Sequence, residues 1–152
     1  MLMTLSLTVL LAVPDTMHCS KAATFLRETQ QMQALVDPDT INDWRTRQTL
    51  SGCRVTAAGG TTLSLRDEAI RLYDRLRAAG WTRTPDPRDA ASEASLRFRW
   101  ERSDCLFNVN REGLLFTDSE ERVNEALELR PGETRYQVFV MCMPALPAVD
   151  RG

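Results

Sequence analysis

Histidine and lysine are almost missing: His18 and Lys21 stand alone among 152 residues. His18 lies near the N-terminus, in a segment that export would remove. A mechanism needing an imidazole base inside the folded domain is therefore disfavoured. Of the 19 lysine and arginine residues the other 18 are arginine, so arginine supplies nearly all positive charge. Arginine is the better bidentate partner for carboxylates, but a GC-rich coding bias produces the same skew and is the plainer reading. No apolar run approaches the roughly 20 residues of a spanning helix. No Cys-x-x-Cys, no Asn-x-Ser/Thr sequon, no internal repeat and no low-complexity tract is present. Ala57-Ala58-Gly59-Gly60 lacks the lysine and the spacing of a phosphate loop. The net charge of −2 is too small to steer a polyanion or a membrane surface over long range.

What is present suits one soluble-type domain: 43% hydrophobic and 26% charged residues in a length that one core can serve. Met1 to Val13, MLMTLSLTVLLAV, reads as the apolar region of a secretory signal, although no basic residue precedes it and no A-x-A site follows. The alternatives are a short N-terminal strand and a mis-assigned start codon. The expected organisation is a signal or apolar segment over 1–18, a single α+β domain over 19–146, and a loose tail over 147–152.

The stretch Ser95 to Asn110, SLRFRWERSDCLFNVN, organises the domain. Leu96, Phe98 and Trp100 alternate with Arg97, Arg99 and Glu101, the period-two mark of a half-buried strand. Arg102, Ser103 and Asp104 read as the turn, and Cys105, Phe107 and Val109 alternate in the returning strand. Ahead of this hairpin, Ser20 to Val36 reads as a first helix. Asp37-Pro38 then reads as the cap and first position of a second helix running to about Leu50. Cys53 to Ala57 reads as a short strand. Ser64 to Ala79 is a helix with Leu65, Ala69, Leu72, Tyr73 and Leu76 inward, Gly80 at its left-handed end and Trp81 folding back on Leu76. Thr82 to Ser92 reads as a surface loop. Asp118 and Glu121 frame a short late helix through Leu129, and Tyr136 to Cys142 is the last strand. The sum is an α+β fold: an antiparallel sheet of about four strands with helices packed on one face, a β-α-β-β-(α)-β core preceded by two N-terminal helices. Cysteines at strand ends with a Gly-Trp after the middle helix resemble small exported bacterial proteins, a likeness that implies no activity.

Four cysteines allow three pairings. In a meander the start of the third strand lies beside the end of the fourth, which pairs Cys105 with Cys142. Cys19 then pairs with Cys53 and clamps the first helix to the sheet. A zinc site is a poor match to four dispersed singletons. Four reduced thiols in an intracellular protein are the competing reading. A catalytic thiol lacks a histidine to activate it.

Two acidic groups invite a chemical reading: Asp86, Asp89 and Glu93 before the hairpin, and Asp118, Glu120 and Glu121 before the late helix. Either set suits calcium or a carboxylate pair, but capping and the helix dipole account for such charge equally well. Arg97, Arg99 and Arg102, extended by Arg111, form a basic row opposite the aromatics. Nucleic-acid binding needs aromatics on that same face, so the row reads as a solvated face and nucleic acid is not expected. Trp44, Trp81 and Trp100 read as core anchors. No cofactor, metal site or catalytic residue is assigned. The expectation is a secreted or periplasmic, disulfide-stabilised module that binds or inhibits another protein or an envelope component. The alternatives are a carboxylate- or calcium-dependent enzyme and an intracellular protein with reduced thiols.

Overall fold

Alternation of large apolar and polar side chains builds long strands here, and more of them than the sequence suggests. The computed structural model describes residues 16–84, 95–113 and 115–147. In chain order it contains α1 (Met17–Thr24), a π-helical turn (Phe25–Thr29), β1 (Gln33–Asp43), β2 (Gln48–Thr61), α2 (Leu65–Ala78), β3 (Thr82–Arg83), β4 (Ser95–Trp100), β5 (Ser103–Asn110), α3 (Asp118–Ala126) and β6 (Thr134–Pro144). The six strands described form one antiparallel sheet in the order β1-β2-β6-β5-β4-β3.

This corrects the expected sheet of four strands and the expected pair of N-terminal helices. The first helix stops at Thr29, and the stretch read as a second helix is a hairpin. Eleven consecutive positions of β1 pair with β2, from Gln33 opposite Ala58 to Asp43 opposite Gln48. Pro38, read as a helix start, stands in the outermost strand, where a missing N–H is tolerated and discourages further pairing. The chain reverses at Trp44–Arg47. There the Asp43 carbonyl accepts the N–H groups of Thr46 and Arg47 at 3.3 and 2.8 Å, and Arg47 takes φ +58°. Ile41 and Trp44, three apart, satisfied a helical stripe as well as they satisfy a strand and its turn. That ambiguity is inherent in short apolar patterns. Trp44 is 46% exposed, not a core anchor, whereas Trp81 is buried.

α2 forms as expected. The Ser64 hydroxyl accepts the Asp67 N–H at 3.1 Å, and the Trp81 N–H donates to the Leu76 carbonyl at 3.0 Å across Gly80, whose φ is +95°. α1 and α2 cover the sheet face that carries Cys53, Val55, Val138, Val140, Phe98 and Phe107. Phe98 meets Phe107 and Trp81 meets Phe107 edge-on, at ring separations of 6.0 and 5.5 Å, while Tyr73 stacks on Phe98 at 5.7 Å. Each fully buried phenylalanine contributes roughly 2–3 kcal/mol.

Helices do not keep to one face. α3 lies on the other side of the sheet, where the Ser119 hydroxyl donates to Asp37 at 2.6 Å and the Gln137 amide donates to Asn124 at 2.8 Å. Its cap is Thr117, whose hydroxyl accepts the Glu120 N–H at 3.3 Å, one residue earlier than expected, and the helix ends at Ala126.

Candidate binding cleft

The inward stripe of α1 is Cys19, Ala22 and Ala23, all buried against the sheet. That orientation turns His18 and Lys21 toward the end of the β4–β5 hairpin. The hairpin turn is tighter than its polar run suggests: Ser103 already pairs with Trp100, so only Glu101 and Arg102 reverse the chain. Glu101 takes φ +50°, a left-handed conformation that is uncommon for a residue with a Cβ. Between helix and turn lies an open cleft of about 530 Å3, lined by His18, Lys21, Trp100, Glu101, Arg102 and Ser103 among others.

Two contacts join its walls. His18 Nδ1 and Ser103 Oγ share a hydrogen bond of 2.6 Å between residues 85 apart in sequence, its direction set by the imidazole tautomer. The Lys21 ammonium sits 4.4 Å from the centre of the Trp100 ring, a cation–π contact. The sequence reading placed His18 outside the domain, and the structure brings it into this wall.

Both walls end on disulfides. Cys19, next to His18, is bonded to Cys53, with Cα atoms 5.9 Å apart. Cys105, two residues after Ser103, is bonded to Cys142, with Cα atoms 4.1 Å apart. Cys53, Cys142 and Cys105 occupy directly opposed positions on β2, β6 and β5, so three sulfurs form one row across the sheet under α1. Cys53 Sγ lies 3.6 Å from the Thr16 carbonyl and Cys105 Sγ 3.7 Å from the His18 carbonyl. Gly52 allows this packing, because a Cβ there would collide with the Cys142 carbonyl oxygen.

Behind the turn, on the opposite sheet face, Arg97 and Arg99 are drawn into ion pairs rather than left in water, whereas Arg102 and Arg111 are exposed as expected. Arg97 is fully buried, with its guanidinium 4.6 Å from the Trp44 ring centre and 3.9 Å from Asp43. Arg99 donates to Asp104 at 2.7 and 3.0 Å. Arg45 donates to Asp104 at 2.9 Å and to Asp43 at 3.0 and 3.2 Å. Burial alone pushes the Asp104 carboxyl up, but the bonds from Arg99 and Arg45 outweigh it and hold the group below the usual carboxylate range. Burial likewise acts to lower Arg45, and Asp43 and Asp104 reverse the sign. Alternation put Arg97 opposite the aromatics correctly. The ion partners come from β1, its turn and β5, which no local pattern reveals.

A second buried polar group sits where the π-helical turn meets α2. The Thr61 hydroxyl donates to the fully buried Glu68 at 2.5 Å, Arg71 also donates to it, and Arg75 donates to Gln30 at 2.7 Å. Tyr136 lies beside this group. Burial, then the charge of Glu68, pushes its phenol well above the ordinary range.

The acidic clusters divide. Asp86, Asp89 and Glu93 lie outside the described residues. Asp118 and Glu121 are exposed on the first turn of α3, whereas Glu120 turns inward and accepts the N–H groups of Leu115 and Phe116. Among the described residues, no three His, Cys, Asp or Glu side chains are arranged to hold a metal ion, and no helix is long and apolar enough to cross a membrane. In comparisons with known proteins, the chain matches no protein-family model, no curated protein and no solved structure.

Proposed function

We propose that the chain is a small exported domain, secreted or periplasmic, that binds another protein or an envelope component in the cleft between α1 and the β4–β5 turn. One observation carries this reading: each wall of the cleft is anchored by its own disulfide, one residue from His18 and two from Ser103. Covalent anchoring lowers the cost of ordering a binding surface. It also calls for an oxidising compartment, which favours export over a reduced intracellular setting. On this reading the apolar N-terminal residues serve as the export signal, and cleavage ahead of Thr16 leaves α1 whole.

The cleft sets Lys21 and Arg102 against one acid, Glu101, with His18 and the hydroxyls of Ser20 and Ser103 at hand. This suits a carboxylate-bearing segment of a partner, held by charge-assisted hydrogen bonds. Titrating the oxidised protein with a hexaglutamate peptide and following 15N–1H spectra tests it. Saturable shifts are expected at Lys21, Arg102 and the Trp100 indole, and their loss in Lys21→Glu/Arg102→Glu. No saturable shift at millimolar peptide removes the acidic-ligand reading. Intact mass before and after reduction tests the oxidised state separately: two bridges gain four hydrogens, and no gain supports the intracellular alternative.

A further inference from the structure

Cys142 has a cysteine directly across from it on both sides. On β5 it faces Cys105, its bonded partner. On β2 it faces Cys53, which is bonded to Cys19 on α1 instead. The Cα atoms of Cys105 and Cys142 are 4.1 Å apart, which marks a narrow antiparallel pair whose backbone polar groups point away from each other. Those of Cys142 therefore turn toward β2, so Cys53 and Cys142 form a wide pair with Cα atoms about 5.5 Å apart. A disulfide spans that separation without backbone movement. All four cysteines are fully buried, and opposed residues project from the same sheet face, so the sulfurs of Cys53 and Cys142 share the space under α1.

The four cysteines are not held alike. The sheet fixes Cys53, Cys142 and Cys105 through nine paired positions between β2 and β6 and eight between β5 and β6. Cys19 rides on the eight residues of α1. Opening so short a helix costs less than breaking the ladder, and it brings Cys19 to a reductant while the other three stay in register.

We propose that the three sheet cysteines form an exchange relay that couples the two bridges, so that one two-electron reduction unties both walls of the cleft. The reductant is a dithiol. Its first thiolate bonds to Cys19 and releases Cys53 as a thiolate; its second thiol displaces Cys19 and closes the reductant's own disulfide, so the protein gains two hydrogens. The Cys53 thiolate then attacks Cys142. The Cys53–Cys142 bond forms, the Cys142–Cys105 bond breaks, and Cys105 leaves as a thiolate that takes up a proton. This exchange moves no net electrons. Entry at the other bridge reaches the same product, because a Cys142 thiolate attacks Cys53 and expels Cys19. In molecules carrying Cys53–Cys142, Cys19 beside His18 and Cys105 two residues from Ser103 are both thiols, and neither wall keeps its anchor. This regulation rests on the cleft being the binding site; the relay itself does not.

The wild-type protein, brought with dithiothreitol to the stage of two added hydrogens, quenched in acid, alkylated with N-ethylmaleimide and peptide-mapped, tests the relay. Label on Cys105 is expected in at least about a tenth of those molecules, together with label on Cys19 and a cross-linked Cys53–Cys142 peptide. Cys19→Ala/Cys105→Ala isolates the product. Once oxidised it is expected to fold with a Cys53–Cys142 bridge and to bind hexaglutamate at least about tenfold more weakly than the oxidised wild type. Label confined to Cys19 and Cys53, or to Cys105 and Cys142, overturns the relay, as does a folded double variant whose two thiols stay free under oxidation. Unchanged affinity in the bridged variant overturns the regulation. A wild type that binds no hexaglutamate removes the cleft reading instead, and the peptide map still decides the relay.

Discussion

Replacing Cys105 and Cys142 together by alanine removes one bridge without leaving a thiol to rearrange. The two bridges span sequence separations of 34 and 37 residues. Their loops, 19–53 and 105–142, do not overlap, so each constrains the unfolded chain independently. For a loop of this length the chain-entropy relation yields about 4 kcal/mol at 25 °C. Both sulfurs are fully buried, so the alanines also leave a void that adds about 1 kcal/mol. A chain of this size has a urea slope of about 2 kcal/mol per molar. The expected drop in midpoint is therefore about 2.5 M, read in parallel by tryptophan fluorescence and far-ultraviolet circular dichroism. Cys19→Ala/Cys53→Ala is expected to cost a similar amount. A midpoint that falls by less than about 0.5 M, with both probes coincident, refutes the reasoning, because the bridge then adds little constraint to the unfolded chain.

Cys105→Ala alone leaves the Cys142 thiol directly opposite Cys53. Its thiolate is expected to attack Cys53 and expel Cys19, so alkylation followed by peptide mapping should label Cys19 more than Cys142; label confined to Cys142 contradicts the sulfur row. Acid stability follows Asp104, whose folded carboxyl titrates below its unfolded value. Its contribution is whole above about pH 4 and is lost as pH falls further, and Asp104→Asn is expected to cost about 3–5 kcal/mol by stranding buried guanidinium charge. An acid midpoint unchanged in Asp104→Asn argues against that. The chain's only two tyrosines, Tyr73 and Tyr136, are both buried and both held above the ordinary range, mainly by that burial. Because the folded phenols keep their protons longer, stability falls as pH rises past about 10. Phenolate absorbance at high pH should therefore appear together with loss of structure, and its appearance in the folded protein contradicts the burial.

Elements held by neighbours in sequence were legible in advance. The β4–β5 strands alternate in side-chain type, and the cap of α2 and its Gly80-Trp81 ending are decided within four or five residues. The N-terminal third was not legible, because its short apolar pattern fits a helical stripe and a strand equally. There the choice fell to β2, which pairs with eleven successive positions of β1 and bonds to alternate ones. The His18–Ser103 contact and the burial of Arg97 were equally hidden. Each joins residues brought together by strand order, over separations that local pattern does not reach. Side-chain type thus determined by itself where the hairpin and α2 lie and which way their residues point. Tertiary structure alone decided what those residues meet: a sheet with helices on both faces, which draws Arg97 and Arg99, expected in water, into a buried ion network and brings the one histidine to a cleft.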